Sequence, residues 1–296
     1  MARIFAGVEL GGTKSIAILS REAEIFEHVT LPTLTPDETL PHLSRQLREW
    51  AVRYDLAALG IASFGPIRVN PAEPRYGRMH VTPKPGWSGA PVAEALTVGL
   101  DCPWLIDTDV NGAALAEYRW GAGQGFGSIC YITIGTGVGG GLVIDGRPVH
   151  GAMHPEMGHL SLRRMVGDSF PGSCRFHGDC IEGLVSGPAL AQRFGQDPAQ
   201  VPQDDPRWEG VASDLAELAG AILLTTSAQR VLVGGGVTNA RPAVLDRARV
   251  LLVERQASYL PFLDHDSART ILGAPALGDQ AGPLGAIALA MTAAQT

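Results

Sequence analysis

The hydrophobic positions of the chain fall into short apolar runs that alternate with amphipathic stretches. Buried strands are predicted over residues 4–10, 15–19, 59–62, 104–107, 129–134, 139–144 and 231–233. Apolar side chains recur at helical spacing from residue 40 to residue 54, and they predict an amphipathic helix that begins near Thr35 or Thr39. Helical patterns also cover residues 113–120, 214–229, 243–259 and 282–294. Strands interleaved with helices indicate an α/β fold.

Glycine-rich turns follow three of the predicted strands. The first strand leads into Gly11-Gly12-Thr13-Lys14, and the strand over residues 129–134 leads into Gly135-Thr136-Gly137. Both turns are followed by a second strand, so the chain contains two similar units about half its length apart. This weak repeat suggests two related lobes that face one cleft. The third turn, Gly234-Gly235-Gly236, follows the strand over residues 231–233.

Each of the first two turns could bind phosphate or could simply close a hairpin. Backbone N–H groups converge on a phosphate only where side chains do not block the approach, as at clustered glycines. In the first turn, Thr13 and Lys14 would add a hydroxyl and a positive charge. The spacing Gly135-x-Gly137-x-x-Gly140 matches a dinucleotide fingerprint, but the chain continues as a strand and does not open a helix. The spacing of a P-loop is absent from both turns.

The composition is that of a globular enzyme of 296 residues, 45% apolar and 18% charged. Its net charge of -7 argues against a nucleic-acid partner. Every apolar stretch is interrupted before it reaches the length of a membrane span, and no secretory cleavage pattern is visible. Of the four cysteines, Cys102 and Cys130 lie in apolar contexts typical of buried thiols. We therefore expect a reducing cytoplasm and no membrane partner.

Two acids follow the predicted strand at residues 104–106. Asp107 and Asp109 lie where this strand gives way to a helical pattern, a junction at which carboxylates can point into a cleft. Phosphoryl transfer to an alcohol needs a base that accepts the hydroxyl proton, a cradle for the triphosphate and Mg²⁺. We predict that Asp109 is this base. The alternative is that Asp107 or Asp109 only caps the helix.

Soft metal ligands are concentrated between residues 154 and 182. The segment Cys174-x-x-His177-x-x-Cys180 supplies three ligands of the kind found in structural zinc sites. A histidine between the two cysteines favours a metal over a disulfide. His159 is the predicted fourth ligand, and His154 is the competing candidate. The alternative is an incidental pair of cysteines in a loop.

Together these motifs resemble those of the ROK family of sugar kinases, and among them the bacterial fructokinases, from Ile4 to Ala290. The resemblance implies a two-lobed α/β fold of the actin-like or ribonuclease H-like ATPase type, as in sugar kinases and hexokinases, with a zinc-stapled loop. We place an N-terminal lobe at residues 1–110, completed by a helix over residues 282–296, and a C-terminal lobe at residues 111–281. A homodimer is the family expectation.

The resemblance also implies roles for individual residues. Asp109 matches the catalytic base of the family. Residues at or near the sugar would be Thr108, Asn111, Glu156, His159 and Glu182, and His159 would bind the structural Zn²⁺ as well. ATP, with Mg²⁺ bridging its phosphates, would be bound by Gly11, Gly12, Thr13, Lys14, Gly135, Thr136, Gly137, Gly234, Gly235 and Gly236. The first two turns would face the phosphates and the third would lie nearer the adenosine.

Three positions depart from the common pattern of the family. Glu9 stands where the first motif usually has Asp, and Thr108 stands where Asn commonly precedes the catalytic acid. The zinc motif is Cys, His, Cys, whereas three cysteines at wider spacing are common. Glu9, the altered zinc motif and the loop from Thr82 to Trp87 are features that we associate with the fructokinase-like branch.

The resemblance therefore implies an ATP-dependent kinase that phosphorylates fructose at its 6-hydroxyl. Glucose, mannose and N-acetylhexosamines are alternative substrates, because hexoses differ in hydroxyl orientations that motifs do not reveal. A sugar-responsive regulator is a second class, since the family includes repressors with a DNA-binding segment before the first glycine turn. We expect no such segment, because the first strand begins by Ile4, and the presence of Asp109 favours an enzyme.

Overall fold

The computed structural model describes residues 3–295, which form two compact α/β units. The first unit contains the chain up to Gln124, Gly146–Pro155 and the chain from Leu277 onward, and the second contains Gly125–Asp145 and Glu156–Ala276. The strands are β1 (Ile4–Leu10), β2 (Lys14–Arg21), β3 (Glu24–Pro32), β4 (Leu56–Ser63), β5 (Trp104–Thr108), β6 (Ser128–Ile134), β7 (Val138–Ile144), β8 (Arg147–Pro148), β9 (Arg230–Gly234) and β10 (Leu272–Gly273). The helices are α1 (Pro36–Arg53), α2 (Val92–Thr97), α3 (Asp109–Trp120), α4 (Ile181–Val185), α5 (Gly187–Phe194), α6 (Trp208–Thr226), α7 (Gly236–Ala240), α8 (Pro242–Gln256), α9 (Ala268–Ile271) and α10 (Ala281–Ala293). The predicted α/β class is confirmed.

The first unit is built on a five-stranded sheet with the order β3-β2-β1-β4-β5. Strand β2 runs antiparallel to β1 and β3, whereas β4 runs parallel to β1 and β5. Because β1, β4 and β5 are parallel, their carboxyl ends meet at the same edge of the sheet. The first glycine turn and Asp109 follow two of these ends, so the fold brings both to one edge.

The amphipathic pattern of α1 is explained by its burial in the first unit. Its start is fixed by a capping box, in which Thr35 and Glu38 each satisfy a backbone N–H of the other. Leu43, Leu47 and Trp50 are fully buried in the core. Burying a large apolar side chain contributes roughly 1.5–3 kcal/mol, so this one face accounts for a substantial share of the stability of the unit.

Helix α10 returns the end of the chain to the first unit, where it packs against β1, β4 and α3. The contact with α3 is close, because a side chain on Gly285 would overlap the backbone of Gly112. Glycine at both positions therefore lets the two helices approach. The boundary predicted after residue 110 falls inside α3, and the first unit continues to Gln124 because α3 packs along α10.

In the second unit, four strands lie in the order β10-β9-β6-β7. Strands β6 and β7 form an antiparallel hairpin around the second glycine turn, and β9 pairs parallel with both β6 and β10. This pairing matches that of β5-β4-β1-β2 in the first unit. The internal repeat predicted from the two strand–turn–strand segments is therefore present in the strand pairing.

The elements missed by the sequence patterns are short or lie at an edge. Strand β3 was not predicted because it is an edge strand with mixed polar and apolar residues, most of them at least partly exposed. Helices α2, α4 and α5 have only six, five and eight residues, which is too short for a clear helical period. Within residues 3–295, no helix combines the length and the apolar character needed to cross a membrane.

Candidate active site

The predicted base, Asp109, is the first residue of helix α3. The cap of this helix is Thr108, whose hydroxyl accepts a hydrogen bond from the backbone N–H of Asn111 at 3.1 Å. One Asp109 oxygen accepts from the N–H of Val110 at 2.9 Å. Thr108 is therefore the residue that caps α3, whereas the sequence analysis had considered Asp107 or Asp109 for this role. A carboxylate in the first helical turn is also stabilised by the helix dipole.

Behind Asp109, a buried polar cluster forms around Asp107, which is only 2% exposed. Its carboxylate accepts from the N–H of Thr108 at 2.7 Å, from the amide of Asn111 at 2.8 Å and from Nε2 of His150 at 2.8 Å. The hydrogen bond to Asp107 raises the pKa of His150. The predicted sugar residue Asn111 is fully buried, and the hydrogen bond from its amide to Asp107 stabilises the start of α3.

Glu9, near the end of β1, is a protonatable acid at neutral pH. Burial and, secondly, the negative charge of Asp109 raise its pKa to about 7, with a smaller contribution from Asp279 and an opposing one from Lys14. All four residues belong to the first unit. A carboxyl group with this pKa exchanges its proton in the physiological range.

We expect Glu9→Gln to stabilise the ligand-free protein at alkaline pH. Because the folded-state pKa of Glu9 lies above its usual value of 4.5, the folded protein favours the protonated form, and the stability from this group is lost as the pH rises through about 7. The free energy of unfolding of the variant should exceed that of the wild type at pH 8 by at most roughly 3 kcal/mol, and the two should converge toward pH 5. Urea unfolding at both pH values measures this, with the exposed Glu22→Gln as the control. Equal curves at pH 8 would contradict it.

The first glycine turn is held by contacts to its backbone carbonyls. The N–H of Gly11 donates to the carbonyl of Lys14 at 3.0 Å, and the N–H of Thr33 donates to the carbonyl of Thr13 at 2.8 Å. The Lys84 ammonium donates to the carbonyl of Gly12 at 2.6 Å. Gly12 and Thr13 are exposed. The turn is therefore fixed in shape while its glycine face stays open to a ligand.

Lys84 belongs to the loop from Thr82 to Trp87, one of the features associated with the fructokinase-like branch. Its ammonium also donates to the carbonyl of Thr33 at 3.2 Å. Nε1 of Trp87, which is fully buried, donates to the carbonyl of Leu34 at 2.8 Å. These three bonds tie the loop to the first glycine turn and to the segment that follows β3.

In the second unit, Glu182 supports the second glycine turn. Its carboxylate accepts from the N–H of Val138 at 3.1 Å, directly after the turn, and a side chain on Gly137 would overlap it. The carbonyl of Gly135 accepts from the N–H of Gly187 at 2.8 Å. Thr136 at the tip is exposed. Glu182 thus lies against the predicted phosphate turn, a placement that its assignment to the sugar did not anticipate.

The third glycine run borders a cavity of about 610 Å³ in the second unit. Strand β9 ends at Gly234, Gly235 has a positive φ of 94° and approaches the backbone of Ile134 closely, and Gly236 begins α7. The cavity is lined mainly by apolar atoms, from Gly187, Pro188, Ala191, Asp197, Pro198, Ala199, Trp208, Gly236, Val237, Ala240 and Arg241. Its size and lining suit a flat heterocycle such as a nucleotide base.

Arg241 builds one wall of this cavity. Its guanidinium donates to the carbonyls of Pro198, Ala199 and Val201 at 2.9 to 3.1 Å and lies 5.4 Å from the centre of the Trp208 ring. These bonds fix the loop before α6. The positive charge of Arg241 therefore already interacts with backbone carbonyls and with the Trp208 ring.

Glu156, another predicted sugar residue, also has an elevated pKa. Burial of the carboxyl group and, secondly, the negative charge of Glu182 raise the pKa of Glu156 to about 7, although the residue as a whole is exposed. A carboxyl group with this pKa can carry a proton at neutral pH.

The four predicted zinc ligands lie together in the second unit. The ligand atoms of His159, Cys174, His177 and Cys180 are all within 4.8 Å of one another. Nδ1 of His159 is 3.8 Å from Sγ of Cys174 and 3.6 Å from Sγ of Cys180, and Nδ1 of His177 is 3.9 Å from Sγ of Cys174. Tetrahedral zinc with ordinary bond lengths places such sulfur and nitrogen atoms roughly 3.5 Å apart. The cluster fits Zn²⁺.

The competing ligand, His154, is engaged elsewhere. It is buried in the first unit, and its Nε2 accepts from the N–H of Ile67 at 3.2 Å. All four cysteines are unpaired thiols. The alternative of a disulfide is therefore wrong, and His159 is the histidine that joins the Cys-His-Cys motif. Since its Nδ1 faces the sulfurs, its Nε2 is left for another contact.

Comparison with known proteins identifies the family. A family model described as "ROK family" matches residues 5–293. The chain belongs to the ROK family. One relative, the fructokinase of Zymomonas mobilis subsp. mobilis, is 39% identical over 300 residues, which cover 98% of this chain and 97% of the relative.

Solved structures of ROK proteins have the same fold. A ROK hexokinase from Thermus thermophilus superimposes with a TM-score of 0.76 at 28% identity, covering 98% of both chains. A ROK family glucokinase from Streptomyces griseus, solved in complex with glucose and AMPPNP, has a TM-score of 0.75 at 25% identity and covers 98% and 99% of the two chains. The sugar kinase fold predicted from the motifs is confirmed.

Several residues at these sites had no clear signal in the sequence. His150 contacts Asp107 from 43 residues away, and Lys84 reaches Gly12 across 72 residues. Trp208 and Arg241 lie in or beside segments that resemble ordinary loops and helix starts. The positions of these side chains depend on long-range contacts, which the neighbouring sequence does not reveal. The proline-rich loop around Lys84 does carry a signal in the sequence.

Proposed function

We propose that this chain transfers the γ-phosphoryl group of ATP to the 6-hydroxyl of D-fructose. The observation that carries the proposal is the 39% identity to a fructokinase along nearly the whole chain. The use of ATP is supported by the AMPPNP bound to the structurally similar glucokinase. The conserved fold alone would support any hexose, so the fructose assignment rests on the sequence relationship.

In the proposed reaction, Asp109 accepts the proton of the attacking hydroxyl. The hydroxyl oxygen forms a bond to the γ-phosphorus, the bond from this phosphorus to the bridging oxygen breaks, and ADP leaves with the electron pair. Asp109 lies at the start of α3, and because Thr108 provides the cap, capping does not account for its carboxylate. Glu156 and Nε2 of His159 are the sugar contacts that we propose in the second unit.

The two glycine turns would bind phosphate oxygens through backbone N–H groups, as such turns do in other phosphate sites. Mg²⁺ would neutralise charge on the phosphates. Carboxylate oxygens are suitable ligands for such a cation, and Asp109 and Asp279 are acids of the first unit that act on Glu9. Zn²⁺ held by the Cys/His cluster would have a structural role, because four protein ligands leave no open position.

Coupled ADP release with Mg-ATP tests this proposal across a panel of fructose, mannose, glucose and N-acetylhexosamines. We expect the highest kcat/KM with fructose. Turnover with another hexose only would retain the kinase chemistry and exclude fructose as the substrate. No turnover with any sugar, from folded protein that contains zinc, would contradict the proposed enzyme.

A further inference from the structure

The cluster around Asp107 includes His150, a polar side chain that the family motifs do not assign. Asp107 is 2% exposed and Asn111 is fully buried, whereas the side chain of His150 is 34% exposed. His150 is therefore the accessible member of the cluster. It belongs to the same unit as Asp109.

Contacts with Asp107 and Asn111 fix the orientation of the His150 ring. Nε2 lies 2.8 Å from one oxygen of Asp107 and 3.4 Å from the amide nitrogen of Asn111. Because an ionised carboxylate only accepts hydrogen bonds, Nε2 must carry a proton and donate it to Asp107. A buried carboxylate that holds an imidazole in this way sets both its tautomer and its direction.

The other ring nitrogen of His150 has no hydrogen bond to any residue in the described part of the chain. Nδ1 is therefore available to a ligand. It donates a hydrogen bond when the ring is charged, which the bond to Asp107 favours, and accepts one when the ring is neutral. A sugar hydroxyl can serve as the partner in either state.

The same carboxylate connects His150 to the catalytic helix. Asp107 accepts from the N–H of Thr108, the residue directly before Asp109, and from the amide of Asn111, two residues after it. A single buried acid thus orients both the start of α3 and the imidazole. A sugar whose hydroxyl group approaches Asp109 would therefore also lie near His150.

We propose that His150 is a sugar-binding residue that presents its Nδ1 to a hydroxyl group of the hexose. The proposal rests on the proposed function, in that the ligand of this site is the sugar substrate. Asp107 is then a positioning residue, which acts on the sugar through His150. A fixed polar group of this kind favours sugars whose hydroxyl meets it and disfavours those whose hydroxyl does not.

His150→Gln separates sugar binding from structural support. The amide nitrogen of Gln sits at the position of Nε2, so the variant can still donate to Asp107, but it has no group at the position of Nδ1. We expect the KM for fructose to rise at least tenfold, while the KM for ATP and the melting temperature stay close to the wild-type values. His150→Ala, which removes both nitrogens, should raise the KM for fructose at least as much. His28→Gln, the same change at an exposed histidine of β3, is the control.

The outcomes separate this proposal from the proposed function. Wild-type turnover with fructose tests the function, and the variants test the role of His150. An unchanged KM for fructose in His150→Gln would overturn the proposal. A variant with a lower melting temperature, a lower kcat and higher KM values for both fructose and ATP would overturn it too, because that result indicates a structural role. If the wild type uses another hexose, the same comparison is made with that hexose. If calorimetry shows that the wild type binds no hexose, both proposals fail.

Discussion

Asp109→Asn should lower kcat for fructose phosphorylation by a factor of about 10² to 10⁴, the usual contribution of a general base. The amide has nearly the same size as the carboxylate and can still accept the N–H of Val110, so the start of α3 should keep its structure. It cannot take the proton of the attacking hydroxyl. Steady-state kinetics with Mg-ATP and fructose gives kcat, and calorimetry gives the dissociation constant for fructose, which should change by only a few-fold.

Asp101→Asn is a matched control for this substitution, because Asp101 is an exposed acid just before β5 in the same unit. Its kcat should equal that of the wild type. An Asp109→Asn enzyme that turns over within a few-fold of the wild type would contradict the assignment of Asp109. Loss of fructose binding with retained kcat would assign Asp109 to the sugar and not to proton transfer.

Loss of the zinc site should have the largest effect on stability. Cys180 is fully buried, and its Sγ lies 3.6 Å from Nδ1 of His159, so Cys180→Ser replaces a strong zinc ligand with a weak one in an enclosed position. The zinc content should fall from about one ion per chain toward zero. Removing a structural metal typically costs more than about 4 kcal/mol, which corresponds to a decrease in melting temperature of roughly 10 °C.

Elemental analysis and thermal unfolding measure both effects. Cys102→Ser is the control, because Cys102 is a half-buried thiol in the first unit and lies outside the cluster. It should keep its zinc and unfold near the wild-type temperature. Wild-type protein that contains no zinc yet unfolds at the same temperature as Cys180→Ser would contradict a structural zinc site.

The parts of the fold that the sequence predicted are those specified by local patterns. Strand β1, the glycine turn after it and helix α1 each carry their own signal, in buried runs, clustered glycines and a regular apolar face. The zinc ligands could be grouped because three of them lie within seven residues and soft ligands attract the same metal. His159 could be added to this group because it is another histidine close in sequence, fifteen residues before Cys174.

Features that depend on distant partners could not be predicted. The sequence offered Asp107 or Asp109 as the alternative cap of α3, and only the structure shows that the hydroxyl of Thr108 accepts the N–H of Asn111. Glu182 remains a predicted sugar residue, and the contact of its carboxylate with the N–H of Val138 beside the second glycine turn had no signal in the sequence. In both cases several side chains of suitable chemistry compete, and packing decides which of them is used.

Nuclear magnetic resonance of the product formed from fructose and Mg-ATP tests the central claim most directly. A proton–phosphorus correlation spectrum identifies the carbon that carries the new phosphate. We predict a correlation to the protons on carbon 6 of fructose, together with one equivalent of ADP. Phosphate on carbon 1, or ADP formed without any sugar phosphate, would contradict the account.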